Sequence, residues 1–301
     1  MSPAIERGTP AGDAHLAIQR LARQTGGDVQ ELQTLYVLES WLARLAVSAY
    51  RDDFVVKGGV LLAAFATRRP TRDIDLRASG LPNDVDEVAA RARAIADHEL
   101  PDGVVFESDS VTASSIRDDD LYAGVRVKLV GRLGRSRLTI GIDVNFGDPI
   151  WPQLSLVKLP RVVQLVGQQS VVVLGYPLTM VLAEKVATAI SRGEANTRWR
   201  DFADLYTLIR GHSVRAEELA GSLETVATYR GVELLPLAPA LAQMPQSAQS
   251  KWRAWRSRVR REHDLPLEFT DVLRSVAGFT DPILTGLAEA TWDVRSATWI
   301  R

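Results

Sequence analysis

The stretch of sequence that decides the predicted fold is Phe54–Arg77, which reads FVVKGGVLLAAFATRRPTRDIDLR. It begins with three apolar residues that favour a buried strand, passes through the glycine pair Gly58-Gly59, and continues with the composition of a helix. In its last part, Asp73 and Asp75 alternate with apolar residues, and alternation with period two predicts a strand with both carboxylates on one face. The predicted order is therefore strand, glycine pair, helix and strand.

The two aspartates of this stretch indicate a metal site. Carboxylates about 7 Å apart on one strand face repel each other unless a cation lies between them. Hard divalent cations such as Mg²⁺ bind carboxylate oxygens and leave positions open for substrate phosphates. Glycine lets a backbone approach a phosphate closely, and the amides at a helix start attract anions. A lone glycine pair is usually a turn and a lone DxD is usually solvated, but the two in this order favour a phosphate-binding segment beside a metal.

The amino-acid composition limits the classes of protein to which this chain can belong. The 301 residues suffice for two modest domains or one large one, and 46% apolar with 24% charged residues predicts a soluble folded protein with a sizeable core. Cysteine is absent, which excludes disulfides and thiolate metal sites and suits the cytoplasm, the predicted location. The chain shows neither a signal peptide nor a membrane-spanning run, so no membrane partner is expected. With a net charge of −1, any RNA binding requires a local basic patch.

The remaining patterns predict an α/β (α+β) protein. Helices are predicted over 15–23, 28–50 and 83–98, the last two with Asp28 and Asn83 as N-caps. Strands are predicted over 104–107, 123–133, 137–146 and 161–175, the middle two forming a hairpin. Residues 1–12 and the proline-containing residues 147–160 are predicted to be irregular. We expect an N-terminal domain over 1–175 and a mainly helical C-terminal domain over 176–301.

Asp143 is a third candidate metal ligand. The strand 138–146 alternates and places this carboxylate among apolar neighbours, where it is costly unless paired or bound to a metal. Alternation alone allows a surface-facing aspartate equally well. The presence of Asp73 and Asp75 favours the metal.

Charged residues recur in a second informative stretch, AEKVATAISRGEANTRWRDFADLYTL. A helix is predicted over 177–192, and Lys185 and Arg192, seven residues apart, lie on one of its faces. Asp201 and Asp204 are three residues apart on the next predicted helix and share a face in the same way.

Both stretches together resemble a known family. Strand, glycine pair, helix and DxD strand resemble motif I of the polymerase-β-like nucleotidyltransferases. More narrowly, KGG–x(9)–RPTRDIDL and the lysine and DxxDL motifs of the second stretch are similar to the AbiEii/AbiGii toxin family, which includes the mycobacterial MenT toxins. The resemblance covers about residues 54–210. It implies a polymerase-β-like core with a mixed sheet, followed by a mainly helical C-terminal region.

The resemblance also implies the chemistry, which is metal-dependent transfer of a nucleotide from an NTP to an acceptor hydroxyl with release of pyrophosphate. The implied cofactor is Mg²⁺, with Mn²⁺ as the alternative. The candidate catalytic residues are Asp73, Asp75, Lys185, Asp201 and Asp204, and the candidate metal ligands are Asp73, Asp75 and Asp143. The candidate nucleotide-binding residues are Lys57, Gly58, Gly59, Arg69, Arg72 and Lys185. Asp201 or Asp204 would orient Lys185 or Arg192, or act near the acceptor, and the sequence leaves these roles open.

Members of this family are toxins paired with a separately encoded antitoxin, and the MenT group adds nucleotides, often pyrimidines, to the 3′ end of tRNA and so blocks translation. The resemblance therefore implies NTP, tRNA or another RNA, and an antitoxin as partners. Two alternatives stay open. The acceptor could be a small molecule or a protein hydroxyl, or the protein could be an inactive nucleotide-binding module that sequesters a partner.

A basic segment lies further along the chain, with six cations in the 11 residues 251–261. Trp252, Trp255 and Val259 fall at helical spacing, so one interpretation is an amphipathic helix with a solvated basic face. The other, slightly favoured, is a strip that binds RNA phosphates. Its candidate residues are Lys251, Arg253, Arg256, Arg258, Arg260 and Arg261.

Thr71 precedes the DxD pair and is a candidate regulatory residue. Its ordinary role is local hydrogen bonding at the start of a strand. A phosphate there would add a charge of about −1.5 to −2 beside the aspartates and repel NTP or capture the metal. An antitoxin could therefore act by covalent modification of Thr71, with simple masking by a bound antitoxin as the competing idea.

Overall fold

The computed structural model describes residues 7–65, 68, 71–118 and 122–301, and for residues 117, 118, 122 and 123 it describes the backbone only. The chain divides into two compact units. The first comprises Met1–Asp148 and Ser155–Tyr176, and the second comprises Pro149–Leu154 and Pro177–Arg301. The boundary expected after residue 175 therefore lies one residue before the end of the first unit, and the segment Pro149–Leu154 belongs to the second.

Over its described residues, the first unit contains four helices and seven strands. The helices are α1 (Pro10–Thr25), α2 (Val29–Val47), α3 (Gly58–Phe65) and α4 (Val85–Ala96). The strands are β1 (Phe54–Lys57), β2 (Asp73–Ala78), β3 (Val104–Asp118), β4 (Tyr122–Leu133), β5 (Ser136–Asn145), β6 (Ser155–Leu159) and β7 (Val171–Gly175).

The first three long helices of this unit, α1, α2 and α4, each begin directly after a residue whose side chain caps the helix. Asp28 caps α2 as predicted, accepting a hydrogen bond from the Glu31 amide at 2.9 Å. Asn83 was the wrong cap for α4, because the Asp84 side chain makes the corresponding bond. The expected tail also ends earlier than predicted, since Thr9 caps α1 and Pro10 occupies its first turn.

All seven strands form one sheet in the order β3-β4-β5-β2-β1-β7-β6. β2 pairs with β5 and β1 with β7 in parallel, whereas β1–β2, β3–β4, β4–β5 and β6–β7 are antiparallel. The mixed sheet and the β4–β5 hairpin were both predicted, and both are confirmed.

Three predictions about strands were wrong. β3 extends to Asp118 because its polar second half pairs with β4 along nearly its whole length. β6 occupies Ser155–Leu159, where prolines on both sides had suggested an irregular segment, and the strand lengthens the sheet by pairing with β7. The residues 161–170 are not part of a strand.

The sheet has one covered face and one face with polar side chains. Helix α2, whose Tyr36, Leu38 and Trp41 are fully buried, packs against β4, β5 and β7. On β4, alternate residues such as Val125 and Val127 are buried, while the residues between them are exposed. The polar face is therefore available for chemistry.

The second unit is mainly helical. Its elements are α5 (Leu178–Arg192), a short 3₁₀ turn at Gly193–Ala195, α6 (Trp199–Gly211), α7 (Ala216–Arg230), α8 (Leu237–Ala240), α9 (Met244–Arg258), α10 (Phe269–Leu284), β8 (Thr291–Asp293) and β9 (Thr298–Ile300). Aromatic rings form much of its core, with Phe269 lying 5.2 Å from Phe202 and 5.5 Å from Trp252. The predicted α/β architecture with a helical C-terminal region is thus confirmed. No helix in the described ranges has both the length and the apolar character needed to cross a membrane.

Candidate active site

Strand β2 presents Asp73 and Asp75 on the polar face of the sheet. Ile74 and Leu76, which alternate with them, are fully buried, so the two aspartates project to the opposite side. The shared face that period-two alternation predicted for these carboxylates is confirmed.

Strand β5 brings Asp143 to the same face. It pairs with β2 in parallel so that Asp75 lies opposite Asp143 and Asp73 lies opposite Gly141. Directly paired residues of neighbouring strands project on the same side, about 4.8 Å apart across the ladder. Register thus brings Asp143 beside two aspartates that lie far from it in the sequence.

The glycine pair after β1 holds the carboxylate of Asp75. Gly58 has φ +65°, and a Cβ at this position would lie 1.9 Å from Oδ2 of Asp75. The Gly59 amide, in the first turn of α3, donates a hydrogen bond to the same oxygen at 3.4 Å. A helix start stabilises a nearby anion, so one consequence of the glycine pair is to seat this side chain.

Asp143 binds Arg126, which the sequence analysis had missed. Arg126 lies opposite Asp143 on β4, and its Nε and Nη2 donate to the two carboxylate oxygens at 2.7 and 2.6 Å. This two-point contact sets the orientation of the carboxylate. The signal available in the sequence was the alternation of Arg126 and Lys128 with valine and leucine.

Lys57, one of the predicted nucleotide-binding residues, forms an ion pair within the first unit. Its side chain is buried, and its ammonium forms an ion pair with Asp148. The Tyr176 hydroxyl donates to the same carboxylate oxygen at 3.3 Å. Breaking such a buried pair is costly, so Lys57 contributes to the fold, and its binding of nucleotide stays a prediction.

Between α3 and β2, Arg68 and Thr71 bind within the protein, whereas Arg72 is exposed. Arg68 donates to Glu39, a buried residue of α2, and to the Pro160 carbonyl at 2.6 Å, and burial lowers the pKa of its guanidinium to about 10. Arg72 is exposed, whereas Arg69 lies outside the described residues. Thr71 donates its hydroxyl to the Asp73 carbonyl at 3.1 Å, which is the local bond expected of its ordinary role.

The donor set on the polar face fits a divalent cation bound together with phosphates. Within the described residues, no three histidine, cysteine or acidic side chains form a ready-made metal site. Asp73 lies over Gly141, Asp75 against Gly58, and Asp143 against Arg126. Mg²⁺ is usually held by one or two carboxylates plus substrate phosphates, so Asp73 and Asp75 suit it without a complete protein cage.

The second unit contains a separate charged cluster, centred on Lys185 of α5. Its ammonium donates to Oδ1 of Asp201 at 2.9 Å and to Oδ2 of Asp204 at 2.8 Å, both on α6. The exposed fractions of the three side chains are only 12%, 18% and 7%. The shared face predicted for the two aspartates is confirmed, and both orient Lys185, whereas Arg192 is exposed.

The basic segment 251–261 has a buried side and several internal contacts. Trp252 and Trp255 are buried, as their helical spacing predicted. Several of the arginines bind within the protein, among them Arg253 to Glu268, Arg256 to the Leu265 carbonyl, and Arg261 to Thr207 and Asp264. The side chains of Lys251, Arg253, Arg258 and Arg260 are exposed.

Comparison with known proteins adds to this geometry. The sequence model of the family described as "Nucleotidyl transferase AbiEii toxin, Type IV TA system" matches residues 40–275. No curated protein sequence matches the chain. Among solved structures, MenT4, a nucleotidyltransferase toxin from Mycobacterium tuberculosis H37Rv, is similar with a TM-score of 0.52 and 18% identity over 93% of this chain and 92% of its own. JHP933 from Helicobacter pylori is similar with a TM-score of 0.50 and 14% identity over 85% and 94% of the two chains.

Proposed function

Because this chain belongs to the AbiEii nucleotidyltransferase toxin family, we propose that it transfers a nucleoside monophosphate from an NTP to RNA, with the 3′ end of tRNA as the acceptor. The observation that carries the proposal is the set of carboxylates on the polar face of the sheet. Asp73 and Asp75 project side by side from β2, and Asp143 lies beside Asp75 on β5. Blocking the tRNA end would stop translation, which is a sufficient basis for toxicity in the cytoplasm.

Asp73 and Asp75 would hold Mg²⁺ or Mn²⁺, with Asp143 beside them, and the ion when bound would neutralise charge that develops on the transferred phosphoryl group and the leaving pyrophosphate. The protein's own part is to position these oxygens. The Gly59 amide holds Asp75, and Arg126 holds Asp143 from the neighbouring strand. Such preorganisation lowers the reorganisation needed when the substrate binds.

Other residues are proposed to bind the nucleotide. The backbone at Gly58-Gly59 begins α3, and helix starts favour phosphate groups. Arg72 is exposed close to Asp73 in the sequence and is retained as a candidate, together with Arg69. Lys185 is proposed to neutralise the β- and γ-phosphates, with Asp201 and Asp204 orienting it. Pyrimidine NTPs are the first substrates to test, on family resemblance alone.

The proposal is tested by incubating the purified protein with each of the four labelled NTPs and total RNA, in Mg²⁺ and in Mn²⁺. We expect label in the tRNA fraction, at the 3′ terminus, and none with Asp75→Asn. Label on a small molecule or on protein would favour one of the alternative acceptors. NTP binding without any transfer would identify an inactive binding module.

RNA binding by the basic segment leads to a separate prediction. Lys251 and Arg258 are exposed on α9, so replacing both by glutamine should weaken RNA binding and reduce the slope of log K against log salt by about 1.5 to 2. NTP binding should not change. Lys158→Gln, at an exposed lysine of β6, is the matched control and should leave the slope unaltered. An equal slope in the double variant and the control would assign the α9 cations to a solvated surface.

Membership of a toxin–antitoxin family implies a partner antitoxin, and a variant of Thr71 tests how the antitoxin acts. Thr71→Val keeps the branched shape and loses only the bond to the Asp73 carbonyl, so folding and transfer should be nearly unchanged. If the antitoxin acts by modifying this hydroxyl, co-expression should no longer silence the variant, and mass spectrometry should find a phosphate on wild-type Thr71. An unmodified Thr71 in silenced wild-type protein would leave masking as the explanation.

A further inference from the structure

Gly141 on β5 has an unusual relation to the catalytic carboxylates. It lies directly opposite Asp73 and two residues before Asp143, on the same face of the sheet. A Cβ built at Gly141 would lie 2.1 Å from Oδ1 of Asp73 and 3.1 Å from its Cγ, and the third nearest atom is the Asp73 Cβ at 3.5 Å. A methyl group at position 141 would therefore collide with the carboxylate end of this one side chain.

Backbone conformation does not explain this glycine. Gly141 does not have a positive φ, so an L-residue could adopt its backbone geometry. Core packing does not explain it either. At Gly131 on β4, by contrast, a Cβ would lie 2.5 Å from Val37 and 3.0 Å from Phe106, two side chains of the first unit. At Gly141 the missing side chain makes room for a carboxylate.

We propose that Gly141 is a positioning residue for Asp73, because its missing side chain leaves the space that the Asp73 carboxylate occupies against β5. The Gly141 amide also donates to the Arg72 carbonyl at 3.3 Å, which ties the backbone just before Asp73 to the same point. Asp73 and Asp75 on β2 therefore lie opposite Gly141 and Asp143 on β5. One strand supplies two carboxylates, and the other supplies one carboxylate and a space. This inference rests on the proposed function, in which Asp73 helps to hold the metal.

Gly141→Ala should separate folding from function. The fold should tolerate the methyl group, because a carboxylate at the end of a side chain can rotate away, and alanine restricts the unfolded chain more than glycine. We expect an unchanged or higher Tm and a kcat lowered at least about 100-fold. Mn²⁺ affinity, measured by electron paramagnetic resonance with NTP present and RNA absent, should fall at least about 10-fold. Gly278→Ala on α10, where a Cβ would have no neighbour within 4 Å, is the control and should match wild type in Mn²⁺ binding and kcat.

A double-variant cycle tests whether Gly141 affects Mn²⁺ binding through Asp73. If Gly141 acts through Asp73, adding Gly141→Ala to Asp73→Asn should cause little further loss of Mn²⁺ affinity. Additive losses would overturn the inference, as would a Gly141→Ala protein with wild-type Mn²⁺ affinity, or one that no longer folds. Wild-type protein that binds Mn²⁺ but transfers no nucleotide would refute the proposed function, while the Mn²⁺ comparison would still test Gly141. Wild-type protein that binds no Mn²⁺ even with NTP present would overturn both.

Discussion

Asp75→Asn is expected to lower nucleotidyl transfer by at least about 10³-fold while leaving the protein folded. The substitution keeps the size of the side chain, so its fit against Gly58 and the acceptor for the Gly59 amide can both be retained. It removes the negative charge that would hold a divalent cation. Because Asp73 projects from the same face of β2, removing one charge also relieves repulsion between the two when no cation is bound. Asp73→Asn should behave in the same way.

The measurement is transfer of labelled nucleotide to RNA, with circular dichroism and Tm to verify folding. Asp52→Asn is a suitable control, because this aspartate is largely exposed in a turn before β1 and pairs only loosely with Arg51, at 3.5 Å. It should transfer nucleotide at the wild-type rate. Wild-type activity in Asp75→Asn would show that the assignment of the DxD pair to the catalytic site is wrong.

Lys185→Ala should cause the second large effect, on stability as well as on activity. It would leave Asp201 and Asp204, both nearly buried, facing each other without the ammonium that now binds both. Removing one member of a buried ion cluster typically costs about 3 kcal/mol or more. We also expect transfer to fall by several orders of magnitude, and Lys185→Arg to recover little, because a planar guanidinium places its charge differently from a compact ammonium.

A triple variant separates the two effects of Lys185. Combining Lys185→Met with Asp201→Leu and Asp204→Leu removes all three charges together, and hydrophobic side chains of similar volume often restore stability in such sites. A stable triple variant without transfer would assign the Lys185 charge to the reaction. A stable and active one would assign it to the fold. Glu184→Gln is the control, because it weakens the neighbouring ion pair to Arg230 and should leave transfer intact once the protein is folded.

Local signals in the sequence predicted much of the candidate site. Alternation placed Asp73 and Asp75 on one strand face, and helical spacing placed Asp201 and Asp204 on one helix face. These patterns are reliable because the direction of a side chain depends on the local backbone period alone. Where the local signal was weak, predictions failed, as for β6 between its prolines and for the polar second half of β3.

By itself, the sequence determined the order of elements around the glycine pair, the family, and the residue types that carry the proposed chemistry. Only the tertiary structure decided their partners. The pairing of β2 with β5 placed Asp143 beside Asp75 and left the space at Gly141 for Asp73, and the pairing of β4 with β5 brought Arg126 to Asp143. The tertiary structure likewise placed Lys57 in a buried ion pair with Asp148. Strand register and burial join residues that are distant along the chain, and a period read within one segment carries no information about which distant segment will lie opposite it.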